Sequence, residues 1–343
     1  MDAATGWARL IDGLRDAGDA LDSLTADLDP RERADGYRAL FRAVNNLTGR
    51  LESDSETPEL EAFNGWRDKF FMDNPDYRYW ITDIRDDRAY RIIGNVGESR
   101  YQSITTYSGT GIANAVAVAR VDTDGLAIDA DGNFEMELPA QPGAASVWVR
   151  YIHDVVNPER PGWCRIESLD AHTTLPALDP ADLKRRLSQL GAFVSQIPTA
   201  FGMAVADDIR TPNAVRRWSA MTGGAAFTEP GIDYVRGAWN LAEGEALVIE
   251  GAAPQCRHWN IVLYSRFLNS LDYRHRVVCR TGATSTLTDG RFRFVLAEHD
   301  PGVQGYDWLD TEGRAFGLFV IRFLQPAAEP ELPTVRLVTV DEL

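Results

Sequence analysis

The stretch AEHDPGVQGYDWLDTEG brings His299, Asp300, Tyr306, Asp307, Trp308 and Asp310 into one connection between two apolar runs. An imidazole titrates near neutral pH, so His299 is the candidate general acid or base, with Asp300 or Asp307 to orient it. The structural alternative has Asp300 capping the Pro301-Gly302 turn, His299 bonded to backbone and Trp308 plugging the core. Upstream, RHWNIVLYSRF and LDYRHRVV supply Tyr264, Arg266, Tyr273 and Arg276, which join Trp308 as candidate substrate contacts. Arginine forks suit an anionic group or developing oxygen charge. They equally suit a structural ion pair, such as Asp272 with Arg266 or Arg322.

Other chemistries lack their patterns. His153, His172, His258, His275 and His299 form no short-range ligand cluster, and HExxH and EF-hand loops are absent. His258, His299 and Asp307 are the least implausible long-range metal set. There is no GxSxG elbow, Walker loop or complete dinucleotide fingerprint, and Gly94-Asn95-Val96-Gly97 reads as a sheet turn. No organic cofactor and no metal are expected. Cys164, Cys256 and Cys279 are odd in number and lack CxxC spacing, as reduced structural cysteines of a cytoplasmic protein would.

With 51 acidic residues against 35 basic ones, the 343-residue chain carries a formal charge of -16. That field repels phosphate backbones and acidic lipid surfaces, which argues against nucleic-acid and membrane partners. The opening MDAATGWARLIDGL reads as a helix rather than an export signal, and no apolar run approaches the roughly 20 residues of a membrane span.

The elements that must position these side chains change period along the chain. Residues 1–73 are helical by spacing: Trp7, Leu10, Ile11, Leu14, Ala17 and Leu21 share one face, and Tyr37, Leu40, Phe41 and Val44 another. A third helix is expected from Thr57-Pro58-Glu59, carrying Leu60, Phe63, Trp66 and Phe70. Residues 74–177 alternate with period two and form a first β-rich half. A helical bridge over 178–233 starts at Asp179-Pro180, with a further helix from Pro212 to Met221. Residues 234–343 form a second β-rich half.

Two stretches look like copies. Pro75, Arg78, Tyr79 and Trp80 in NPDYRYW recur as Pro254, Arg257, His258 and Trp259 in APQCRHW. DGNFEMEL and DGRFRFVL follow, and each leads through a Pro-Gly turn into an apolar strand ending near an arginine, ASVWVRYI or GLFVIRFL. The expected fold is therefore mainly β with a helical N-terminus and a helical insert. Its duplicated β-sandwich or jelly-roll-like halves should face each other around Trp80, Trp148, Trp259 and Phe319. In RHWNIVLY, alternation puts Trp259, Ile261 and Leu263 toward a core and His258, Asn260 and Tyr264 toward a cavity or solvent.

The C-terminal third resembles the bacterial family called the domain of unknown function 1214. The resemblance rests on Arg257-x-Trp259, Leu263-Tyr264, Ser270-Leu271-Asp272-Tyr273, His299-Asp300-Pro301-Gly302 and Trp308-Leu309-Asp310-Thr311-x-Gly313. It implies a β-sandwich-like fold and no particular reaction. Three functions fit the residues: an enzyme using acid-base chemistry on a small or medium hydrophobic organic molecule, a noncatalytic binder of a small organic ligand, or an interaction scaffold. The amphipathic helices add a possible homodimer.

Overall fold

The computed structural model describes residues 3–109, 115–170, 177–218 and 229–343. Helices α1 (Ala3–Leu24) and α2 (Pro30–Gly49) open the chain, and α3 (Pro180–Arg210) is the insert. Asp29 caps α2 by accepting the Arg31 and Glu32 amides at 2.8 and 3.1 Å. Pro30 follows, where the first turn needs no amide hydrogen. Asp179 and Pro180 start α3 in the same way, with the Ala181 amide 2.9 Å from Asp179 Oδ1. Helix α1 lies so close to α3 that a Cβ at Gly13 would collide with the Gly191 backbone. Among the described residues, no helix is long and apolar enough to cross a membrane.

The first half contributes β1 (Glu61–Phe63), β2 (Tyr77–Asp83), β3 (Tyr90–Asn95), β4 (Ser99–Ser108), β5 (Val116–Asp122), β6 (Asn133–Leu138), β7 (Ala144–His153) and β8 (Trp163–Ser168). The second contributes β9 (Ala214–Arg217), β10 (Ile232–Asn240), β11 (Glu245–Ala252), β12 (His258–Tyr264), β13 (Cys279–Thr281), β14 (Leu287–Thr288), β15 (Arg291–Ala297), β16 (Asp307–Asp310), β17 (Phe316–Leu324) and β18 (Thr334–Thr339). Each half is a sandwich. An inner sheet ordered β1-β2-β7-β4-β5 packs on an outer β6-β3-β8, and an inner β13-β12-β17-β10-β9 packs on an outer β14-β15-β11-β18.

Strand alternation then builds the third core. In β7, Val147, Val149 and Tyr151 face their own outer sheet, while Trp148 and Ile152 face the other half. In β17, Phe319, Ile321 and Phe323 face outward, while Leu318, Val320 and Leu324 face the first half. The two inner sheets thus share a core with the helices, and the layers run outer, inner, inner, outer. The four expected marker residues are divided among the three cores: Trp148 lies in the shared one, Trp259 and Phe319 in the second sandwich, and Trp80 against the first.

The strand order fixes which segments correspond. Reading the second inner sheet backwards gives β9-β10-β17-β12-β13, the same path as β1-β2-β7-β4-β5. Strand β12 therefore matches β4, and β10 matches β2. The NPDYRYW-to-APQCRHW correspondence is corrected by this pairing: His258, Ile261 and Tyr264 sit where Tyr101, Ile104 and Tyr107 sit. Short motifs repeat by chance more easily than strand order does. The other two correspondences, β6 with β15 and β7 with β17, follow the topology. Both Pro-Gly turns need their glycine, since Gly143 and Gly302 have φ of 83° and 66°.

Two expected helices are not helices. From residue 57 onward, β1 pairs with β2, and Asn64, Phe71 and Met72 take φ of 64°, 35° and 59°. The Asn64 side chain takes the Phe70 amide and Asp68 takes the Gly65 amide, so polar side chains outcompete the helical ladder. In the Pro212–Met221 segment, Ala214–Arg217 pairs with β10, and Asn213 (φ 55°) is clamped to both the amide and the carbonyl of Asn240. Residues 219–221 of that segment, and His172, lie outside the described residues.

Candidate functional site

Four arginines are buried among the described residues: Arg42, Arg150, Arg236 and Arg322. A buried guanidinium without a counter-charge is costly, so each should have a partner. Arg236 of β10 has Asp208 of α3, and Arg150 of β7 has Glu229, 3.0 Å away. Arg322 of β17 has no carboxylate within 4.0 Å among the described residues.

Arg150 and Arg322 hold equivalent places. Arg150 lies opposite Tyr79 and Ser103 in its sheet, and Arg322 lies opposite Tyr234 and Asn260. Four residues beyond Ser103 and Asn260 come Tyr107 and Tyr264. Each arginine is thus flanked by one tyrosine from each neighbouring strand. Arg150 Nη1 donates to Tyr107 Oη at 3.3 Å, and the Arg322 guanidinium stands 5.9 and 5.7 Å from the Tyr234 and Tyr264 ring centres. Cation–π attraction stabilises such an ion without neutralising it.

The two surroundings then diverge. Glu229 is 2% exposed and takes Arg150 on one oxygen, while its other oxygen accepts from Arg120 Nη2 at 3.0 Å and Tyr101 Oη at 3.3 Å. Arg322 instead donates from Nη2 to the Met72 carbonyl at 3.3 Å. Its Nη1, and the hydroxyls of Tyr77 and Tyr264, make no hydrogen bond among the described residues. The Tyr264 hydroxyl lies near Arg322 without reaching bonding geometry.

Arg322, Met72 and Tyr77 border a cavity between the inner sheets, about 30 Å³ when measured as the space open to the centre of a water-sized sphere. Its walls include Tyr77, Tyr79, Trp148 and Arg150 from the first half, with Glu229 from the residues before β10, Tyr234 from β10 and Arg322 from β17. Burial raises the hydroxyls of Tyr77 and Tyr79 well above the ordinary phenol range and raises Tyr234 and Tyr264 too, so all four stay protonated donors at neutral pH. The arrangement can hold an anion of a few heavy atoms. The unpaired Arg322 and the unsatisfied Tyr77 hydroxyl would face its oxygens, with aromatic rings against the remainder and the Glu229 carboxylate held on Arg150.

Below this cavity the halves are stitched by polar side chains. His258 Nε2 lies 2.9 Å from Asp76 Oδ2, and Asn260 Nδ2 donates to Asn74 Oδ1 at 2.9 Å and Asp76 Oδ1 at 2.7 Å. Burial alone would lower the His258 pKa, but Asp154 and Asp76 outweigh it and the net shift is upward. His153 is buried between the Pro161 and Asp76 carbonyls, and desolvation carries its pKa down.

The residues singled out by sequence are dispersed. His299 and Asp300 are exposed after β15, and Asp300 Oδ1 accepts the Gly302 amide at 2.9 Å as a turn cap. Asp307 is buried against Thr286, taking its amide at 2.6 Å. Trp308 Nε1 donates to the Ala297 carbonyl, and Arg276 pairs with Asp310 at 2.7 Å. Arg266 pairs with Glu32 of α2 at 3.3 Å, and Asp272 caps the Arg274 amide, so Asp272 holds neither Arg266 nor Arg322. Tyr273 packs edge-on to Trp66. Of the set, Tyr264 reaches the shared core beside Arg322. The long-range trio is not assembled either, since His258 is buried at the stitch while His299 is exposed. Among the described residues, no group of three His, Cys, Asp or Glu side chains could hold a metal ion. Burial pushes all three cysteine thiols upward in pKa, away from thiolate chemistry.

What sequence reasoning missed is Arg150, Arg322 and Glu229 as a set. The signal was present, because an arginine ends the apolar run in both ASVWVRYI and GLFVIRFL.

No protein-family model and no curated protein matches the chain. Among solved structures it is similar to an uncharacterized protein from Burkholderia cenocepacia, at 28% identity over 98% of each chain with a TM-score of 0.90. A protein from Vibrio parahaemolyticus is 12% identical over 99% of this chain and 100% of its own, with a TM-score of 0.48, too low to carry an argument.

Proposed function

We propose that the protein binds a small organic anion, of the carboxylate class, in the cavity between its inner sheets. The observation that carries this reading is Arg322: a buried guanidinium with an unused Nη1, no carboxylate partner among the described residues, and its equivalent Arg150 neutralised by Glu229. A carboxylate in the cavity would supply the missing counter-charge, and the Tyr77 hydroxyl would add a donor. Binding is favoured over acid-base turnover at His299, which is exposed and lies outside the cavity lining. The tyrosines that line the cavity are held protonated, which suits them to fix a ligand.

Acetate, butyrate and benzoate form a ladder of size for calorimetry and thermal unfolding. At least one should bind the wild type, and Arg322→Met should weaken it tenfold or more. If none of the three binds, or if the Met variant binds equally well, the reading fails.

We further propose that the halves arose by duplication, supported by their matching strand order, and that the chain is a divergent member of the domain of unknown function 1214. A profile of the chain's homologues should then keep Arg257-x-Trp259 and Trp308-Leu309-Asp310 as fixed columns. Unpaired cysteines support a reducing, cytoplasmic location, to be checked by fractionation. Exposed Trp7, Tyr37 and Phe41 on the helices support a homodimer, and a monomeric mass by light scattering would count against it.

A further inference from the structure

Arg42 is the other buried arginine without a carboxylate partner among the described residues, and it belongs to a different site. It lies on α2, facing the segment after β12. Four cations surround the half-buried Trp66 ring there. Lys69 Nζ is 4.4 Å from the ring centre, and the guanidinium carbons of Arg42, Arg274 and Arg38 are at 4.9, 5.3 and 5.7 Å. Lys69 is fully buried, while Arg38 and Arg274 are exposed.

Among the described residues, none of the four has a carboxylate within 4.0 Å, although acids are near. Arg314 takes Asp35 at 3.1 Å and Glu312 at 3.2 Å, and Asp272 caps a backbone amide. Asp73 places both oxygens on Ser270, at 2.8 and 2.6 Å. Lys69 donates to the Ser270 and Leu271 carbonyls at 2.6 and 3.1 Å, and Arg42 meets Asn269 Oδ1 at 3.5 Å, the limit of a hydrogen bond. The crowding leaves a mark on acidity. Burial and neighbouring arginines bring Lys69 down to about 8, and burial, then Arg38, lower Arg42. Nearby Asp73, Asp35 and Glu312 offset part of this charge, yet four cations around one ring without a direct ion pair among the described residues are conspicuous in a chain of net charge -16. Between them lies a cavity of about 20 Å³, on the same measure as before, bordered by Arg38, Arg42, Trp66, Lys69 and Asn269, with Arg314 and the already engaged acids Asp35, Asp272 and Glu312 on its wall.

We propose that this is an oxyanion site, which takes a phosphate or sulfate group over Arg38 and Arg42 with the Lys69 ammonium behind it. The group is either a free ion or the charged end of a larger ligand, and its charge would neutralise what the rings only polarise. The proposal does not depend on the inter-sheet cavity, since the two sites share no lining residue.

The test titrates inorganic phosphate into the full chain at constant ionic strength, with chloride as the balancing salt, by calorimetry and thermal unfolding. Phosphate should bind once per chain and raise the melting temperature where chloride does not. Arg38→Gln, an exposed change that leaves the packing intact, should weaken binding at least tenfold, while Arg15→Gln on α1 should leave it unchanged. Equal affinity for sulfate would identify a free-ion site, and tighter binding of a phosphate monoester would identify the end of a larger ligand. The proposal is overturned if phosphate acts no differently from chloride, or if Arg38→Gln binds it as well as the wild type.

Discussion

Arg150 and Arg322 offer a controlled comparison, because the same strand in each half delivers the same side chain into the shared core. Each stands between two tyrosines in the same register. Both border the same cavity, but Arg150 is paired there with Glu229, while Arg322 has no carboxylate within 4.0 Å among the described residues. A scaffold that places two equivalent cations needs a single added carboxylate to make one of them structural. The other is then available to a ligand. The lesson is that equivalent positions in a two-half protein can divide support and recognition between them.

The largest effect should come from removing the carboxylate. Glu229→Gln leaves Arg150 and Arg120 facing an uncharged amide, and breaking a buried pair this way costs about 3–5 kcal/mol, measurable by urea unfolding. A loss below about 1 kcal/mol would mean that Arg150 is no more dependent on its partner than Arg322 is. Arg322→Met should behave in the opposite sense. With no ligand present it removes an unpaired ion, so stability should change by no more than about 1 kcal/mol, and a gain is allowed. A loss as large as that of Glu229→Gln would erase the contrast.

The two buried histidines sharpen the comparison through pH. His258 of the second half has its pKa raised, so its contribution is complete below the unfolded value of about 6.5 and disappears as pH rises through the folded value. His153 of the first half has its pKa lowered, so its contribution is complete above about 6.5 and is lost as pH falls through the folded value. Unfolding free energies measured across this range should therefore lose slope on the alkaline side in His258→Gln and on the acid side in His153→Gln. The same response in both variants would contradict the assignment. The smallest effect is expected at the loop, where His299→Gln should shift stability by less than about 0.5 kcal/mol and leave carboxylate binding intact, because the side chain is exposed.

The architecture was largely legible because strand alternation and turn chemistry are local. Asp179-Pro180, the two Pro-Gly turns and the apolar faces of α1 and α2 all announce themselves within a few residues. The segment at 57–70 was misleading because its apolar spacing suits a helix, while Asn64 and Asp68 redirect the backbone through side-chain hydrogen bonds that spacing does not register. The cavity was less legible for a different reason. Its parts come from β2, β7, β10, β17 and the residues before β2 and β10, and only sheet pairing brings them together. His299, Asp300 and Asp307 are neighbours in sequence, yet proximity along a chain does not make a convergent site. Arg150 and Arg322 are 172 positions apart and share one, as their numbering and the cavity lining show.

The four-layer order also bears on how the protein folds. Each sandwich can form its core from contacts within its own half, but the inner sheets must meet before Arg150, Glu229 and Arg322 lose their water. If the halves collapse before they meet, dehydration of these charges belongs to the docking step. An ion pair completed after the rate-limiting barrier slows escape from the native state without hastening arrival. Glu229→Gln should accordingly raise the unfolding rate while refolding proceeds at close to the wild-type rate, and stopped-flow measurements of both limbs would show whether the halves close last.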